Sequence, residues 1–243
     1  MRISSIVLVA VLCSACGGEV SSARPSRTAR ASAPSRLAPA SPAAVSTMET
    51  RGLTGSLSTI EVRRALEPRL EAFGGCFAPH TRRLRALGGR LELRFEVAVD
   101  GHVTKVQPID STVGHRDVER CVLEVAAATR FPRPHGGEAQ FTWPLELDPP
   151  DHIRHPVTWD PSRVRGVVRR RGARVLRICR PPHSDAQYQV TTYVSRRGRV
   201  LSAGAAAREP GADTELDCVV RAVRRWRMPA AGRRQAKVTF EIG

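Results

Sequence analysis

The sequence predicts an α+β protein that carries the same small α-β-β-α-β unit twice in tandem. The first observation is a repeat: residues 121–132 read CVLEVAAATRFP, and 97 residues later, residues 218–229 read CVVRAVRRWRMP. The second is a period of two among apolar residues, which is typical of strands with one buried face. The third is a helical spacing of apolar residues on either side of those strands.

The N-terminus has the pattern of an exported lipoprotein. Residues 1–16 combine an early Arg, an apolar run at 6–12 that is too short to span a bilayer, and small residues before Cys16. Ser14, Ala15 and Cys16 resemble the bacterial lipobox, in which the cysteine is lipidated and becomes the mature N-terminus. Gly17, rather than Asp, after that cysteine predicts delivery to the outer membrane. The alternative is an ordinary cleaved signal peptide.

Residues 17–57 follow as a tether rich in Ser, Ala, Pro and Arg. Because little hydrophobic periodicity is present there, the segment is predicted to be disordered. A coil of this length separates its ends by roughly 35 Å. A lipid-anchored protein on such a tether would sample the periplasm.

Export also decides how the cysteines are interpreted. Cys13 would leave with the signal and Cys16 would carry lipid. The four that remain are Cys76, Cys121, Cys179 and Cys218. An even number of cysteines in an oxidising compartment indicates disulfides. Zinc binding is the competing interpretation, but none of the four forms a C-x-x-C pair.

The first unit is predicted over residues 58–148. Ser58 and Glu61 form a capping-box pattern, and Pro68 should kink or split the helix that follows. The inward face of that helix is predicted to comprise Val62, Leu66, Leu70, Phe73 and Phe77. The next strand is predicted to alternate through Leu91, Leu93, Phe95, Val97 and Val99, before a hairpin at Asp100–Gly101. A second amphipathic helix and a closing strand complete the unit.

The second unit is predicted over residues 162–243, after a Pro-rich linker at 149–161. A shift of 97 residues needs no gap from 91 to 146, and it pairs Gly101 with Gly198, Cys121 with Cys218 and Pro132 with Pro229. Upstream, the loop of the second unit is six residues shorter, so that Cys179 matches Cys76. The chain is therefore interpreted as two copies of one unit.

The formal net charge of the chain is +16, and its distribution is uneven. Residues 58–148 carry 13 basic and 13 acidic side chains, whereas residues 151–243 carry 20 basic and 8 acidic ones. A basic protein commonly binds nucleic acid, but the predicted export argues against that partner. The preference for Arg over Lys is also compatible with GC-rich coding.

The repeated unit resembles the C-terminal domain of TonB, and more closely the related AgmX/PglI-type C-terminal domain of gliding-motility proteins. The resembling stretches of the first copy are CF at 76–77, GRLELRFEVAVDGHV at 89–103, ST at 111–112, VERCV at 118–122, RFPRPHGG at 130–137 and FTWPLEL at 141–147. The second copy is more diverged, and its Arg-dense first helix departs from the family pattern. Because a lipobox replaces the inner-membrane helix of TonB, energy transduction is not implied.

The resemblance implies a three-stranded antiparallel sheet with two helices in each copy, and a disulfide between the two helices. The implied disulfides are Cys76–Cys121 and Cys179–Cys218. Such bonds would matter because a unit of roughly 80–90 residues buries little surface relative to its chain entropy.

The TonB domain accepts an extended peptide as an added strand, which requires an exposed sheet edge. Pro144 removes one donor from the closing strand of the first copy, whereas the matching stretch of the second copy, RQAKVTFEIG, contains no proline. The candidate strand-addition edge therefore comprises Lys237, Val238, Thr239 and Phe240. The alternative is that both edges are blunted and the units only pack together.

A second candidate binding site is an arginine surface on the two helices of the second copy. Its members are Arg165, Arg169, Arg170, Arg174, Arg177, Arg221, Arg224 and Arg225. Bidentate guanidinium groups suit phosphate and carboxylate, so this surface would bind anionic lipid head groups, lipopolysaccharide or an acidic protein. The alternative is a solvated helical face.

The sequence contains no catalytic signature such as a nucleophile elbow, H-E-x-x-H or a phosphate-binding Gly loop. Asp151, His152 and His155 lie close together in the linker but lack a further ligand, so neither a metal nor a cofactor is predicted. We expect a non-enzymatic adaptor, lipid-anchored at the periplasmic face of the outer membrane, that binds an envelope protein in a motility or transport assembly. The alternative is a binder of anionic envelope components.

Overall fold

Two strand hairpins, each flanked by helices, organise the chain in the computed structural model, which describes residues 55–149, 153–209 and 213–243. The first half (55–149) contains α1 (Thr59–Leu66), α2 (Leu70–Gly75), α3 (Ala78–Thr81), β1 (Gly89–Val97), β2 (Val103–Ser111), α4 (Arg116–Ala127) and β3 (Ala139–Leu147). The second half (153–243) contains β4 (Val157–Thr158), α5 (Arg165–Cys179), β5 (Tyr188–Val194), β6 (Val200–Ala207), α6 (Asp213–Val223) and β7 (Ala236–Ile242). The predicted α+β class is confirmed.

The two sheets differ in strand number. The first is antiparallel with the order β2-β1-β3, whereas the second has the order β4-β7-β5-β6. The prediction of a three-stranded antiparallel second sheet is wrong, because β4 pairs in parallel with the start of β7, Val157 opposite Ala236. Val157 and Thr158, which form β4, were assigned to the linker at 149–161. A two-residue strand is too short to show a period, and only its distant partner reveals it.

A similar contact corrects the predicted end of the tether. Gly55 pairs in parallel with Ala139 of β3, and the Leu57 side chain is buried in the first core. Residues 55–57 are therefore part of the folded region rather than of the tether. The rest of that segment, the signal sequence with Cys16, Asp151 and His152 all lie outside the described residues.

The capping box and the Pro68 break are both present. Glu61 N–H donates to Ser58 Oγ at 3.3 Å, and Ser58 N–H donates to the Glu61 carboxylate at 2.8 Å. A 3₁₀ turn at Glu67–Arg69 then separates α1 from α2. Because a 3₁₀ turn rotates more per residue than an α-helix, it shifts the phase of the apolar stripe. Leu70 is consequently 48% exposed, contrary to its predicted inward position.

The first hairpin turns earlier than the alternation predicted. β1 ends at Val97, and Val99 is 59% exposed rather than buried. Gly101 occupies the turn at φ +86°, and a Cβ there would lie 2.1 Å from the Phe131 carbonyl oxygen. The same geometry recurs 97 residues later: Gly198 has φ +78°, and its Cβ would lie 2.2 Å from the Met228 carbonyl oxygen. Only glycine fits either turn.

Each half has its own buried apolar cluster. The cluster of the first half packs α1, α2 and α4 against one face of its sheet, around Phe73, Phe95 and Phe141. The cluster of the second half packs α5 and α6 against theirs, around Trp226 and Phe240. Each core contains one cysteine of its own disulfide, Cys76 in the first and Cys179 in the second. The chain therefore has two cores, one under each sheet.

The two cores are nevertheless joined. All the described residues belong to one compact unit, so a division into two domains is not evident. Tyr193 of β5 is fully buried within the first cluster, and Thr191 donates from its hydroxyl to the Ser111 carbonyl oxygen at 2.8 Å. β5 and β6 are buried on both faces. β5 and β6 are thus covered by the helices of their own half on one face and by the first half on the other.

Glu119 of α4 lies at the centre of this contact and is fully buried. Its carboxylate accepts from Ser111 Oγ at 2.6 Å and from the backbone N–H of Ala205, in β6, at 3.0 Å. Gly204 makes room for it, since a Cβ at that position would lie 2.0 Å from Glu119 Oε1. A nearby charge-assisted bond joins Arg116 Nε to Asp217 at 2.6 Å. Polar groups therefore specify how the halves meet.

Burial raises the pKa of Glu119 above its ordinary value of 4.5, and the hydrogen bonds from Ser111 and Ala205 oppose that shift. The unfolded chain therefore loses this proton at a lower pH than the folded one, so that the contribution of Glu119 to stability falls as pH rises above about 4.5 and levels off past the folded pKa. Glu119→Gln cannot titrate. We expect the unfolding free energy of wild type minus that of Glu119→Gln to decrease from pH 4 to pH 7 in urea titrations; parallel curves would contradict this.

Candidate functional site

An arginine-lined cleft lies where the two halves meet. Its cavity measures about 480 Å³, and four separate segments of the chain contribute to its wall. The arginines that line it, referred to here as the cleft arginines, are Arg82, Arg83, Arg85, Arg154, Arg196, Arg233 and Arg234. His155 and four uncharged residues complete the lining.

The topology of the second sheet brings most of these arginines together. Val194, at the end of β5, pairs with both Val200 of β6 and Ala236 of β7. The β5–β6 turn with Arg196 and the loop with Arg233 and Arg234 therefore lie at the same end of the sheet. β4 begins beside Ala236, which places Arg154 there as well.

The arginines of the first half are held at this end by two side chains of the second half. The Tyr193 hydroxyl lies 3.2 Å from the Ala86 carbonyl oxygen and 3.3 Å from that of Gly88. Lys237 Nζ donates to the Gly88 carbonyl oxygen at 2.8 Å and lies over the Tyr193 ring. The loop at 82–86 is thereby fixed against the second sheet.

Both of these side chains have shifted pKa values because they are buried. Desolvation raises the pKa of Tyr193 to about 12, which keeps its hydroxyl protonated. Desolvation also lowers the pKa of Lys237 to about 8. Near neutral pH, Lys237 is therefore still mostly cationic and adds to the positive potential behind the cleft.

The cleft arginines form no ion pair within the part of the chain that the structure describes. No Asp or Glu is among the described lining residues. The described ion pairs involve other groups, and none of the cleft arginines takes part in one. Guanidinium groups that converge without a carboxylate repel one another, and a bound anion relieves that repulsion. The arrangement therefore suits an anionic ligand.

Such a cleft is suited to binding anionic groups. Arg donates two parallel N–H groups to a phosphate or a carboxylate, with a directionality that a lysine ammonium lacks. Seven guanidinium groups around one small cavity can engage several anionic groups at once. His155 also lines the cleft, and it lines a neighbouring cavity together with Asp148 and Lys237.

The arginine surface predicted from sequence is located elsewhere. All eight predicted residues, from Arg165 in α5 to Arg225 just after α6, are exposed. The two helices contact each other and are joined by the Cys179–Cys218 disulfide. None of these arginines lines the cleft, so the structure separates the predicted surface from the concave site.

The predicted strand-addition edge is partly occupied by the chain itself. β4 pairs with Ala236 and Lys237, and Trp159 N–H donates to the Lys237 carbonyl oxygen at 2.8 Å. The side chains of Val238 and Phe240 are buried in the second core. Among the described residues, the β4 ladder does not extend past Lys237, so an added strand would have to pair with β7 from Val238 onward.

Both disulfides implied by the resemblance are present. The Cα atoms of Cys76 and Cys121 are 5.7 Å apart, and those of Cys179 and Cys218 are 5.5 Å apart. Each bond joins the long helix that follows a strand hairpin to the helix that precedes that hairpin. Disulfides are typical of oxidising compartments, and they indicate a location outside the cytoplasm. Within the described residues, no helix has the length and apolar character needed to cross a bilayer.

Sequence reasoning missed the cleft because its members are dispersed. The arginines lie in four short segments. Those of the first half lie within residues 58–148, whose basic and acidic side chains balance to zero net charge. One signal was available: the predicted hairpin places SRRGR at 195–199 and the loop before the closing strand, GRRQ at 232–235, at the same end of the sheet. Nothing in the pattern connects TRRLR at 81–85 to that end.

The chain matches no protein-family model, no curated protein and no solved structure.

Proposed function

We propose that the chain is a non-enzymatic, lipid-anchored periplasmic adaptor of the bacterial cell envelope that binds an acidic segment of a partner protein in its arginine-lined cleft. The observation that carries this proposal is the convergence of seven arginines, free of described ion pairs, on one cavity. Arg clusters are a recurring means of recognising acidic or phosphorylated peptide motifs.

The proposed architecture is two tandem TonB C-terminal-like domains, related to the AgmX/PglI type, that have become packed together. The recurrence of the Gly101 turn at Gly198 supports it, as does the disulfide at equivalent positions in each half. A further equivalence supports it too: the isolated bridge of His102 with Arg130 recurs as that of Arg199 with Arg227. A motility or transport assembly is the setting that this resemblance favours.

The anchor belongs to the same proposal. The lipobox-like sequence at Cys16, followed by Gly17, favours a diacylated N-terminus in the outer membrane. The two disulfides support the oxidising compartment that export requires. The tether would then allow the folded region to reach partners at some distance from the membrane.

Strand addition stays within the proposal as a secondary mode. Because β4 and the buried side chains of β7 restrict that edge, a partner strand would extend the second sheet only beyond Lys237. The cleft is the stronger candidate, since its charges need a counter-ion and an edge does not.

The second candidate ligand is a phosphorylated head group of lipopolysaccharide or phospholipid. The number of arginines around one cavity favours it, because several guanidinium groups close together fit the dense charge of phosphate. This candidate keeps the same cleft and changes only the source of the anion.

The test compares two triple variants of the full-length chain that remove the same charge. Arg85→Gln/Arg196→Gln/Arg233→Gln removes three of the seven cleft arginines, and Arg169→Gln/Arg170→Gln/Arg174→Gln removes three exposed arginines of α5. We expect the cleft variant to bind a fluorescent Glu-rich peptide at least about tenfold more weakly. A tenfold loss of affinity corresponds to about 1.4 kcal/mol. One hydrogen bond to a charged group contributes about that much or more, and the variant removes three arginines. The α5 variant should bind as wild type does, and wild-type affinity should fall with added salt.

Vesicles that contain phosphatidylglycerol serve as the second probe. Tighter binding to vesicles than to peptide, with the same loss in the cleft variant, would favour the head-group candidate. An equal loss in the two triple variants, or binding that salt leaves unchanged, would refute the cleft as the binding site.

A further inference from the structure

The loop before β1 and the start of α4 bring three metal-ligating side chains together. His80 lies in α3, while His115 is the N-cap of α4 and Asp117 lies in its first turn. One ligand atom from each residue lies within 4.8 Å of the other two. The two imidazole rings have their centroids 4.2 Å apart and are tilted by 50°. The sequence separates His80 from the other two by a complete hairpin.

One ring nitrogen of the histidines in this cluster lacks a partner. His115 Nδ1 is buried and makes no hydrogen bond with any of the described residues. A buried ring nitrogen without a partner is uncommon and indicates an ion or a water at that position. A neutral imidazole nitrogen with a free lone pair is also the commonest protein ligand of transition metals.

The Cys76–Cys121 disulfide holds the two ligand-bearing segments together. His80 follows Cys76 by four residues, and Asp117 precedes Cys121 by four residues, which is one turn of α4. The covalent bond therefore joins the two segments one turn away from the cluster. Because the two backbone segments are already held together, little backbone freedom is lost when a metal binds, and this favours metal affinity.

We propose that His80, His115 and Asp117 form a site for a divalent transition metal ion, with Zn²⁺ as the best fit. Two imidazoles, one carboxylate and a water give the four tetrahedral ligands that zinc prefers. Zinc–ligand bonds of about 2.0–2.2 Å place neighbouring ligand atoms about 3.3 Å apart. The cluster reaches that spacing through side-chain rotation, since Asp117 is exposed and both histidines are only partly buried.

Arg224 of the second half is the positive group that acts against a cation here, because it lies near enough to His115 to exert a Coulombic effect. Asp117 opposes it with a negative charge. Removing Arg224 while keeping the three ligands is expected to tighten zinc binding, whereas a purely structural histidine pair would not respond in this way. This response distinguishes a metal site from simple packing.

The experiment measures Zn²⁺ binding to the purified full-length chain, with an affinity tag free of His and Cys, by competition with a chromophoric chelator. We expect one equivalent of zinc to be lost, or its affinity lowered by at least about tenfold, in His80→Ala/His115→Ala and in the near-isosteric Asp117→Asn. His135→Ala, which removes an exposed histidine beside Glu61, is the matched control and should bind zinc as wild type does. Arg224→Gln should bind it more tightly.

Co²⁺ supplies an independent readout, because tetrahedral Co²⁺ absorbs visible light according to its ligands. The absorption is expected in wild type and His135→Ala, and it should disappear in Asp117→Asn, whose folding circular dichroism would check. Wild-type protein that binds no zinc, or unchanged zinc affinity and Co²⁺ absorption in Asp117→Asn and the double histidine variant, would overturn the proposal. The anion-binding proposal does not depend on this site and would stand in either case.

Discussion

Replacing Cys76 and Cys121 together by alanine is expected to lower the free energy of unfolding by roughly 3–4 kcal/mol. The disulfide closes a loop with a sequence separation of 45 residues, and in the unfolded chain that closure removes conformational entropy. The bond also joins α2 to α4, whose contact helps to close the first core. Urea unfolding followed by far-UV circular dichroism measures the loss.

The second disulfide is the natural comparison. Cys179→Ala/Cys218→Ala opens a loop with a separation of 39 residues, so that the chain-entropy argument predicts nearly the same loss. Because the halves share buried contacts, each variant is expected to unfold in a single transition, at a lower midpoint than wild type. A loss below about 1 kcal/mol in both double variants would show that neither bond restricts the unfolded chain as much as the chain-entropy argument requires.

Gly204→Ala is expected to destabilise the protein by about 2–3 kcal/mol, through overpacking and through the loss of buried hydrogen bonds. The added methyl group would lie 2.0 Å from Glu119 Oε1 and 2.6 Å from its Cδ. Glu119 is fully buried, so its carboxylate can yield only by leaving Ser111 and Ala205. The contact between the halves should therefore loosen.

Gly166→Ala provides the matched control for this change. Gly166 lies in α5 with φ outside the left-handed region, and a Cβ there meets only the end of the Arg170 side chain at 3.4 Å. Alanine favours a helix more than glycine does, so this variant should be neutral or slightly stabilising. Combining Gly204→Ala with Glu119→Ala should recover part of the loss. Equal stability of Gly204→Ala and Gly166→Ala would show that β6 accommodates the methyl group.

The predicted features that the structure confirms depend on residues that are close together in the sequence. The capping box of Ser58 and Glu61, the break at Pro68 and the glycine turn at 101 each need only neighbouring residues. The period of two likewise identified Leu91, Leu93 and Phe95 as core residues. Where a neighbouring 3₁₀ turn altered the phase, as at Leu70, the periodicity gave the wrong face.

The features that were missed all involve residues far apart in the chain. Tyr193 and Thr191 look like the outer face of a half-exposed strand, yet the first half covers them. Glu119 looks like a solvated helix residue, and it is buried only because β6 lies against α4. The cleft and the His80–His115 cluster arise from the same long-range packing.

The sequence by itself determined the order of helices and strands, the cysteines available for pairing and the chemistry of each loop, because these follow from short-range periodicity and residue type. Tertiary structure alone decided which loops meet. Seven arginines line one cleft, and Glu119 is buried between the halves, because β5 and β6 pack on the first half. That packing is a sum of many weak contacts between distant residues, and no local pattern in the chain encodes it.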